Sequence, residues 1–394
     1  MDEELERFRE EVRAFLRDRA PDLPVRAGFR SPASEDEDRV VRAWRALLYE
    51  VGYLGADWPP EWGGRPDWTP LHDLILSEEV ARARLPPLTD QTHLAGFALV
   101  RFGTDEQRRR HLPLIRDGSE TWCQLFSEPD AGSDLAAMRT RARQDETGDW
   151  VIDGQKVWSS NAEWSDHGFL LARVGPLEER HRGITAFIVD MRSAGIDVRP
   201  LREITGTSDF SEVFFDGVRL DRDSVLGTVG EGWAVAMESL GAERSGIGAG
   251  AARLRLVLDD LVALAARVPA AGGGPAIASD AVRRDLARFA TRVELCNRQV
   301  VDRLERELAG RSRPADVPIG KLFFSELNLE LATYALSLLG PAALVTGGPQ
   351  SEREGIWQDE FLYARTYTVA GGASEIMRNV LAERALGMPR EARG

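Results

Sequence analysis

Residues 150–158 of this 394-residue chain have the sequence Trp-Val-Ile-Asp-Gly-Gln-Lys-Val-Trp, and this stretch indicates the fold class. Two short runs rich in β-branched and aromatic residues flank Asp153-Gly154. An Asp-Gly pair favours a tight hairpin turn because the central positions of that turn need positive φ. Similar β-rich runs occur at 169–171, 184–189 and 213–215. The middle of the chain is therefore predicted to form an antiparallel sheet.

On both sides of this region the apolar residues recur at helical spacing. Residues 3–18 place Leu5, Phe8 and Val12 on one face, and residues 38–52 repeat the pattern. Helices followed by a sheet and then by helices predict a mainly α, α+β fold with segregated layers. We predict an N-terminal helical domain, a central β-sheet domain and a C-terminal helical domain at 1–120, 121–230 and 231–394.

The composition disfavours several functional classes. A net charge of -14 and a single short basic run at 108–110 argue against nucleic-acid binding, which needs a continuous basic surface. No apolar run approaches the roughly 20 residues of a membrane helix, so no membrane span is expected. The acidic N-terminal segment has no apolar signal region, and a cytoplasmic location is expected. Two distant cysteines and five scattered histidines predict neither a disulfide framework nor a metal site.

Two stretches contain candidate binding residues. Residues 122–134, WCQLFSEPDAGSD, combine hydroxyl groups, a proline bend and a glycine, and such a loop can surround a polar planar ligand. Alone, this composition is more typical of a turn that caps a helix. Residues 155–161, QKVWSSN, lie at the end of a predicted strand, and alone they favour a core tryptophan followed by a turn.

Taken together, the SEPxxGSD loop and the GxKxWxSN strand end about 30 residues later resemble the flavin-binding pair of the acyl-CoA dehydrogenase family. The resemblance extends over nearly the whole chain, through EWGG at 61–64, FGTDEQ at 102–107 and AGGASEIMRN at 370–379. It implies a helical N-terminal domain, a central β domain and a C-terminal four-helix bundle, with FAD between sheet and bundle. It further implies FAD-dependent α,β-dehydrogenation of an acyl thioester, a reaction of lipid metabolism.

Position by position, the resemblance implies a set of residues around the isoalloxazine ring: Gln124, Phe126, Ser127, Trp158 and Ser160. Trp158 would form an aromatic wall, and Ser160 would give a hydrogen bond near the N5 edge. Ser133 falls where the family uses a residue near the flavin or the coenzyme A moiety.

Desaturation requires a shielded carboxylate of raised pKa to remove the α-proton. In most family members a glutamate precedes the final Gly-Thr/Ala-Ser-Glu-Ile motif, but here that position is Gly371, which the resemblance places at the substrate.

A minority of members use a glutamate before an arginine on a helix, and Glu243-Arg244 match that pattern. Glu243 also lies on an apolar stripe with Leu240 and Ile247, an unusual position for a carboxylate. Glu243 is the candidate base, and Arg244 is a candidate for holding coenzyme A or orienting the carboxylate. Alternatively, Glu243 only pairs with Arg244 or with a partner subunit.

Two departures from the family pattern bear on assembly. Residues 264–272 lack the Arg-x-x-Phe-Gly segment that reaches the FAD of a neighbouring subunit, and Ala373 replaces a hydroxyl residue. Such losses resemble bacterial enzymes built from two different subunits, which often act on bulky acyl groups such as sterol fragments. A homo- or hetero-oligomer, a dimer or tetramer, is expected.

Three functional hypotheses remain open at this point. The first is a dehydrogenase with Glu243 as base, acting on an acyl-CoA or carrier-protein thioester and passing electrons to an electron-transfer flavoprotein. The second is a non-catalytic subunit of a heteromeric acyl-CoA dehydrogenase. The third is a flavin monooxygenase on the same fold, which would not require Glu243.

Overall fold

The structure is a computed structural model that describes residues 3–88, 90–270 and 273–390, with the backbone but not the side chains of 242–249. The chain forms two compact units. The helical unit comprises Met1–Phe29, Thr69–Pro87 and Glu243–Gly394, and the sheet unit comprises Arg30–Trp68 and Leu88–Ala242. The helices are α1 (Glu3–Arg19), α2 (Glu35–Glu50), α3 (Pro70–Arg82), α4 (Gln91–Phe102), α5 (Asp105–Arg116), α6 (Gly232–Ala249), α7 (Ala251–Arg267), α8 (Asp280–Leu308), α9 (Asp316–Leu339), α10 (Ile356–Val369) and α11 (Ser374–Val380).

The sheet unit is built around strands β1 (Trp122–Leu125), β2 (Arg141–Gln144), β3 (Trp150–Ser160), β4 (His167–Arg173), β5 (Ile184–Asp190), β6 (Ile196–Leu201), β7 (Phe210–Leu220) and β8 (Val225–Leu226). Their order is β6-β7-β3-β2-β4-β5-β8, with β1 paired to β4. The pairings are antiparallel except for β1 with β4 and a short contact of β2 with β4. The predicted central sheet is confirmed, and its parallel β1–β4 pairing was not foreseen.

The predicted hairpin turn at Asp153-Gly154 is wrong. Both residues lie inside β3, an unbroken 11-residue strand, where the pairing with β7 is irregular between Ile152 and Gly154. Gly154 has a φ of +150°, and a Cβ there would come within 2.6 Å of the Thr140 hydroxyl oxygen. The glycine therefore permits close approach of another segment. The turn that joins β2 to β3 lies at 145–149, where Asp145 Oδ1 accepts hydrogen bonds from the Thr147 and Asp149 N–H groups.

Within the helical unit, α7, α8, α9 and α10 form the predicted C-terminal bundle. The buried core of this unit includes Leu254, Leu261, Leu286, Phe289, Val293, Phe324, Leu327, Leu331 and Trp357. Helix α3 adds Leu74 to the same core, and α1 is tied to α3 because Arg9 and Arg13 both pair with the buried Glu79. Helices α1 and α3 thus pack with the C-terminal helices, while α2, α4 and α5 belong to the sheet unit. The α+β fold is confirmed, and the boundaries at 120 and 230 stay a prediction.

Helix α9 has features of both a core helix and a membrane helix. Asp316–Leu344 is the single candidate span, by length and composition, within the described ranges. That is weak evidence because core helices pass the same test. Leu327 and Leu331 of α9 are fully buried in the bundle core, and the buried Lys321 amine donates to the Gly372 carbonyl at 2.7 Å.

The close approach at Gly154 leads to a stability prediction. Gly154→Ala should lower the free energy of unfolding by about 2–3 kcal/mol, because the residue has an unfavourable φ and its Cβ would meet Thr140. Gly217→Ala is the matched control, since Gly217 has a φ of +61° and no atom within 4 Å of its added Cβ. Denaturant titration of both variants measures the difference. Equal losses would show that the contact with Thr140 is not what requires glycine.

Candidate active site

The two stretches singled out in the sequence meet in the sheet unit. The Val157 N–H of β3 donates to the Ser127 carbonyl at 2.9 Å, so the segment after β1 runs beside the end of β3. Phe126 is buried and packs edge-to-face against Phe169, with 4.9 Å between ring centroids. Gln124, Phe126, Ser127, Trp158 and Ser160 therefore lie on two hydrogen-bonded segments, and their placement around the isoalloxazine stays a prediction.

A buried ion pair holds these segments together. The Lys156 amine, fully buried, donates to Glu128 Oε1 at 2.8 Å and to the Phe126 carbonyl at 2.9 Å. Glu128 also accepts from the backbone N–H groups of Arg139 and Thr140, at 2.6 and 2.9 Å. Burial lowers the pKa of Lys156 to about 8, although Glu128 acts in the opposite direction. Burial raises the pKa of Glu128, but Lys156 and the hydrogen bonds outweigh that effect and hold it below its usual value.

Neither partner of this ion pair was predicted as a site residue. Glu128 and Lys156 lie in the two quoted stretches, but their spacing in sequence gives no indication that they touch. One signal was available: Lys156 is one of only two lysines in the chain. Nearly all other basic residues of the chain are arginines. A rare lysine at the end of a predicted strand therefore indicates a candidate buried cation.

Trp158 has an unusual conformation for a tryptophan. Its φ is +59°, at an irregularity in the β3–β7 pairing between Lys156 and Ser159. A bulky residue with positive φ is strained, and such strain is concentrated at functional sites. The bulge turns the indole outward, where it is 60% exposed and meets only the edge of Phe210 at 6.0 Å between centroids among the ring contacts described. An exposed indole of this kind can cover one face of a planar ligand.

Buried polar atoms at the same strand ends have no hydrogen-bond partner among the residues that the structure describes. They are Gln124 Nε2 at the end of β1, Ser159 Oγ in β3, and Asn161 Oδ1 just after β3. Each unsatisfied buried group costs about 1–3 kcal/mol. An exposed indole at strand ends that also hold such atoms fits a planar heterocycle with polar edges, and the isoalloxazine of FAD is such a group. Ser159 and Asn161 were not among the predicted residues, although both lie in the quoted stretch.

The other predicted residues are distributed as follows. Ser133 is exposed on the loop after the tight Glu128–Ala131 turn. Glu243 and Arg244 lie in α6, but their side chains are outside the described part of the structure. Gly371 follows α10 with a φ of +64°, and the next residue, Gly372, has a φ of +106°. A glutamate at 371 would be strained in this loop.

The ion pair leads to a second prediction. Glu128→Gln should destabilise the protein by about 3–5 kcal/mol at pH 6, because it leaves the Lys156 charge buried without its partner. The pKa of Lys156 then falls below its present value of about 8. Folding with a neutral amine becomes easier as the pH rises, so the loss should shrink between pH 6 and pH 9. Denaturant titration across this pH range measures the effect.

The matched control for that experiment is the double variant Lys156→Met with Glu128→Met. It removes both charges and replaces them with apolar side chains, so its stability should exceed that of Glu128→Gln and should not follow the same pH trend. If Glu128→Gln shows a pH-independent loss equal to that of the double variant, the ion pair does not determine the position of the loop.

Comparisons with known proteins identify the family. Three family models match consecutive parts of the chain: the N-terminal, middle and C-terminal domains of acyl-CoA dehydrogenase, at residues 2–119, 123–218 and 230–386. The chain is 39% identical to acyl-CoA dehydrogenase IpdE1 of Mycobacterium tuberculosis over 100% of both proteins. It is 36% identical to IpdE1 of Mycolicibacterium smegmatis over 99% of this chain and 100% of that protein.

Solved structures agree with this assignment. The Tcur3481-Tcur3483 steroid ACAD has a TM-score of 0.86, 29% identity and 99% coverage of both chains. The ChsE4-ChsE5 complex from Mycobacterium tuberculosis has a TM-score of 0.84, 28% identity and 99% coverage of both chains. The resemblance found in the sequence is confirmed: the chain belongs to the acyl-CoA dehydrogenase family and is an FAD-dependent acyl-CoA dehydrogenase.

Proposed function

We propose that this acyl-CoA dehydrogenase uses Glu243 as its catalytic base and acts on a bulky, ring-bearing acyl-CoA. The observation that carries the proposal is the loop at Gly371. Its positive φ, together with the Lys321 amine bonded to the adjacent Gly372 carbonyl, gives a compact glycine loop at the position where most family members have the base. A carboxylate must then come from another segment, and Glu243-Arg244 on α6 match the alternative pattern.

The residues of the sheet unit have binding and positioning roles in this proposal. When bound, FAD supplies the acceptor for the β-hydrogen and its electron pair. Trp158 would cover the ring face, and the polar atoms of Gln124, Ser159 and Asn161 would bind its edges, with Ser127 and Ser160 beside them. Lys156 and Glu128 keep these groups in place without exchanging protons with substrate, because their own hydrogen bonds are all directed within the protein.

Glu243 has the chemical role in the C-terminal half. Its carboxylate takes the α-proton, which is acidified by the neighbouring thioester carbonyl. Arg244 orients that carboxylate or contacts the coenzyme A moiety, and Gly371 leaves space beside the reacting carbons. Removal of the α-proton with loss of the β-hydrogen and its two electrons gives the α,β-unsaturated thioester.

The substrate class and the assembly are inferred from two kinds of support. Loss of a side chain at 371 leaves space for a wide acyl group, and one structural relative is named a steroid ACAD. Two structural relatives are named as pairs of different chains, Tcur3481-Tcur3483 and ChsE4-ChsE5. We therefore favour a coenzyme A thioester of a steroid-type ring fragment and a hetero-oligomer with a second, homologous chain. An electron-transfer flavoprotein as acceptor and a cytoplasmic location complete the proposal.

Glu243→Gln tests the base. In the assembled, FAD-loaded enzyme, anaerobic bleaching of the flavin by a ring-bearing acyl-CoA should slow by about 10²–10⁴-fold, the usual contribution of a general base. Flavin content should stay unchanged. Glu238→Gln on the same helix is the matched control, because Glu238 is a half-exposed residue paired with Arg101. Full bleaching rates in Glu243→Gln would assign the base to another residue, as the hypothesis of a non-catalytic subunit in a heteromer expects.

Trp158→Ala tests the cofactor site separately. Because the indole is 60% exposed, its removal should leave the free energy of unfolding of the flavin-free protein within ~0.5 kcal/mol of the original value. FAD affinity, measured by fluorescence titration of the flavin-free protein, should fall by at least about tenfold through loss of stacking. Trp158→Phe should restore most of the affinity. Unchanged FAD affinity in Trp158→Ala would place the ring elsewhere on the chain.

A further inference from the structure

Outside the flavin site, the sheet unit contains a cluster of metal-binding side chains in its interior. His111 on α5, Glu120 in the segment before β1, and His167 at the start of β4 place one ligand atom each within 4.8 Å of one another. His111 Nδ1 lies 2.9 Å from Glu120 Oε2, and His167 Nδ1 lies 3.7 Å from the same oxygen. The three side chains are 4%, 9% and 13% exposed.

The fold holds these side chains in place through neighbouring elements. The parallel pairing of β1 with β4 sets Trp122 directly opposite His167, and the two rings stack with centroids 5.0 Å apart. The same indole meets His111 edge-on at 5.1 Å. The Glu120 N–H donates to the Leu114 carbonyl at 2.9 Å, which fixes the segment that carries the carboxylate. The cluster is therefore ordered by packing before any ion binds, as a selective metal site requires.

One atom of the cluster points to a ligand. His167 Nδ1 is buried and has no hydrogen-bond partner in the part of the chain that the structure describes. Its separation of 3.7 Å from Glu120 is too long for a hydrogen bond. The adjacent Asp166 cannot supply a partner, because its carboxylate is already bonded to Arg42, Arg192 and the Thr121 N–H group. A buried imidazole nitrogen left in this way is available to a cation.

The ligand set and spacing favour zinc. Zinc binds imidazole nitrogen and carboxylate oxygen at about 2.0–2.2 Å in tetrahedral geometry, which sets ligand atoms about 3.3–3.5 Å apart. The distances of 2.9 and 3.7 Å lie on either side of that range. The two imidazole ligand atoms, the remaining pair, lie within 4.8 Å of each other. Calcium and magnesium prefer sites built from oxygen ligands, and two histidines with one carboxylate do not provide them.

We propose that His111, Glu120 and His167 form a structural Zn²⁺ site, with water as the fourth ligand, that joins α5 to strands β1 and β4. This site is separate from the redox chemistry. It lies at the start of β1, and the opposite end of that strand carries Gln124. The ion would strengthen the framework of the sheet unit from the side away from the cofactor-binding residues. The expectation from the sequence that no metal binds would then be wrong.

The test uses the FAD-loaded full-length protein after dialysis against a chelator. Titration with zinc sulfate should give one zinc per chain by calorimetry and elemental analysis, and zinc should raise the thermal unfolding midpoint. His111→Gln and His167→Gln should each weaken zinc binding by more than the ~10–100-fold that loss of a second-shell partner costs. His181→Gln, at an exposed histidine of the same unit, should bind zinc as the unaltered protein does.

Two results would overturn the proposal. One is zinc uptake by His167→Gln equal to that of the unaltered protein. The other is an unaltered protein that takes up no zinc and shows no shift in its unfolding midpoint, which would leave His111 and Glu120 as a simple hydrogen-bonded pair. Because substitutions in a buried cluster can impair folding, anomalous diffraction at the zinc edge from crystals of the unaltered protein gives an independent measurement. A peak between the three side chains is expected, and its absence after zinc soaking would refute the site.

Discussion

The buried ion pair between Lys156 and Glu128 is the interaction on which the cofactor site depends. Moving two charges into a protein interior costs several kcal/mol per ion unless each is fully hydrogen-bonded. Here the carboxylate is bonded to Lys156 and to two backbone N–H groups, and the amine also binds the Phe126 carbonyl. The loop after β1 and the end of β3 cannot separate without exposing or orphaning these groups. The positions of Ser127 and Trp158 follow from this constraint.

Both lysines of the chain hold a backbone segment in place from the protein interior. Lys156 and Lys321 are fully buried, and each donates to a backbone carbonyl in a segment assigned to the active site, at Phe126 and Gly372. An ammonium group on a flexible stem is compact enough to reach a carbonyl in the interior, whereas the planar arginine fork needs several acceptors. Arginines occur at the surface, as in the ion pair of Arg101 with Glu238, and also in the interior, where Arg173 donates to the Met138 and Ala136 carbonyls.

The region around Trp158 contrasts with the well-satisfied ion pair beneath it. An exposed indole in a strained backbone conformation and three orphaned polar atoms do not stabilise the sheet unit by themselves. The packed core of the sheet and the ion pair offset the unfavourable free energy of these groups. In the proposed site, a planar cofactor with polar edges would cover the exposed face and give the orphaned atoms partners. In the proposed function, Gly371 has the opposite role, because the absence of a side chain leaves space for substrate.

The sequence by itself determined the order of helices, sheet and helices, the family and its cofactor, because those features depend on local periodicity and on short motifs. It misassigned Asp153-Gly154, since an Asp-Gly pair favours a turn locally, while the close packing of Thr140 against β3 uses the glycine for another reason. Only the tertiary structure decided that Lys156 meets Glu128, that Trp158 faces outward, and that His111, Glu120 and His167 converge. Lys156 and Glu128 are 28 positions apart, the outward indole depends on a bulge, and His167 reaches His111 and Glu120 through the parallel β1–β4 register. Such relations arise from chain packing, and no local pattern of residue types encodes them.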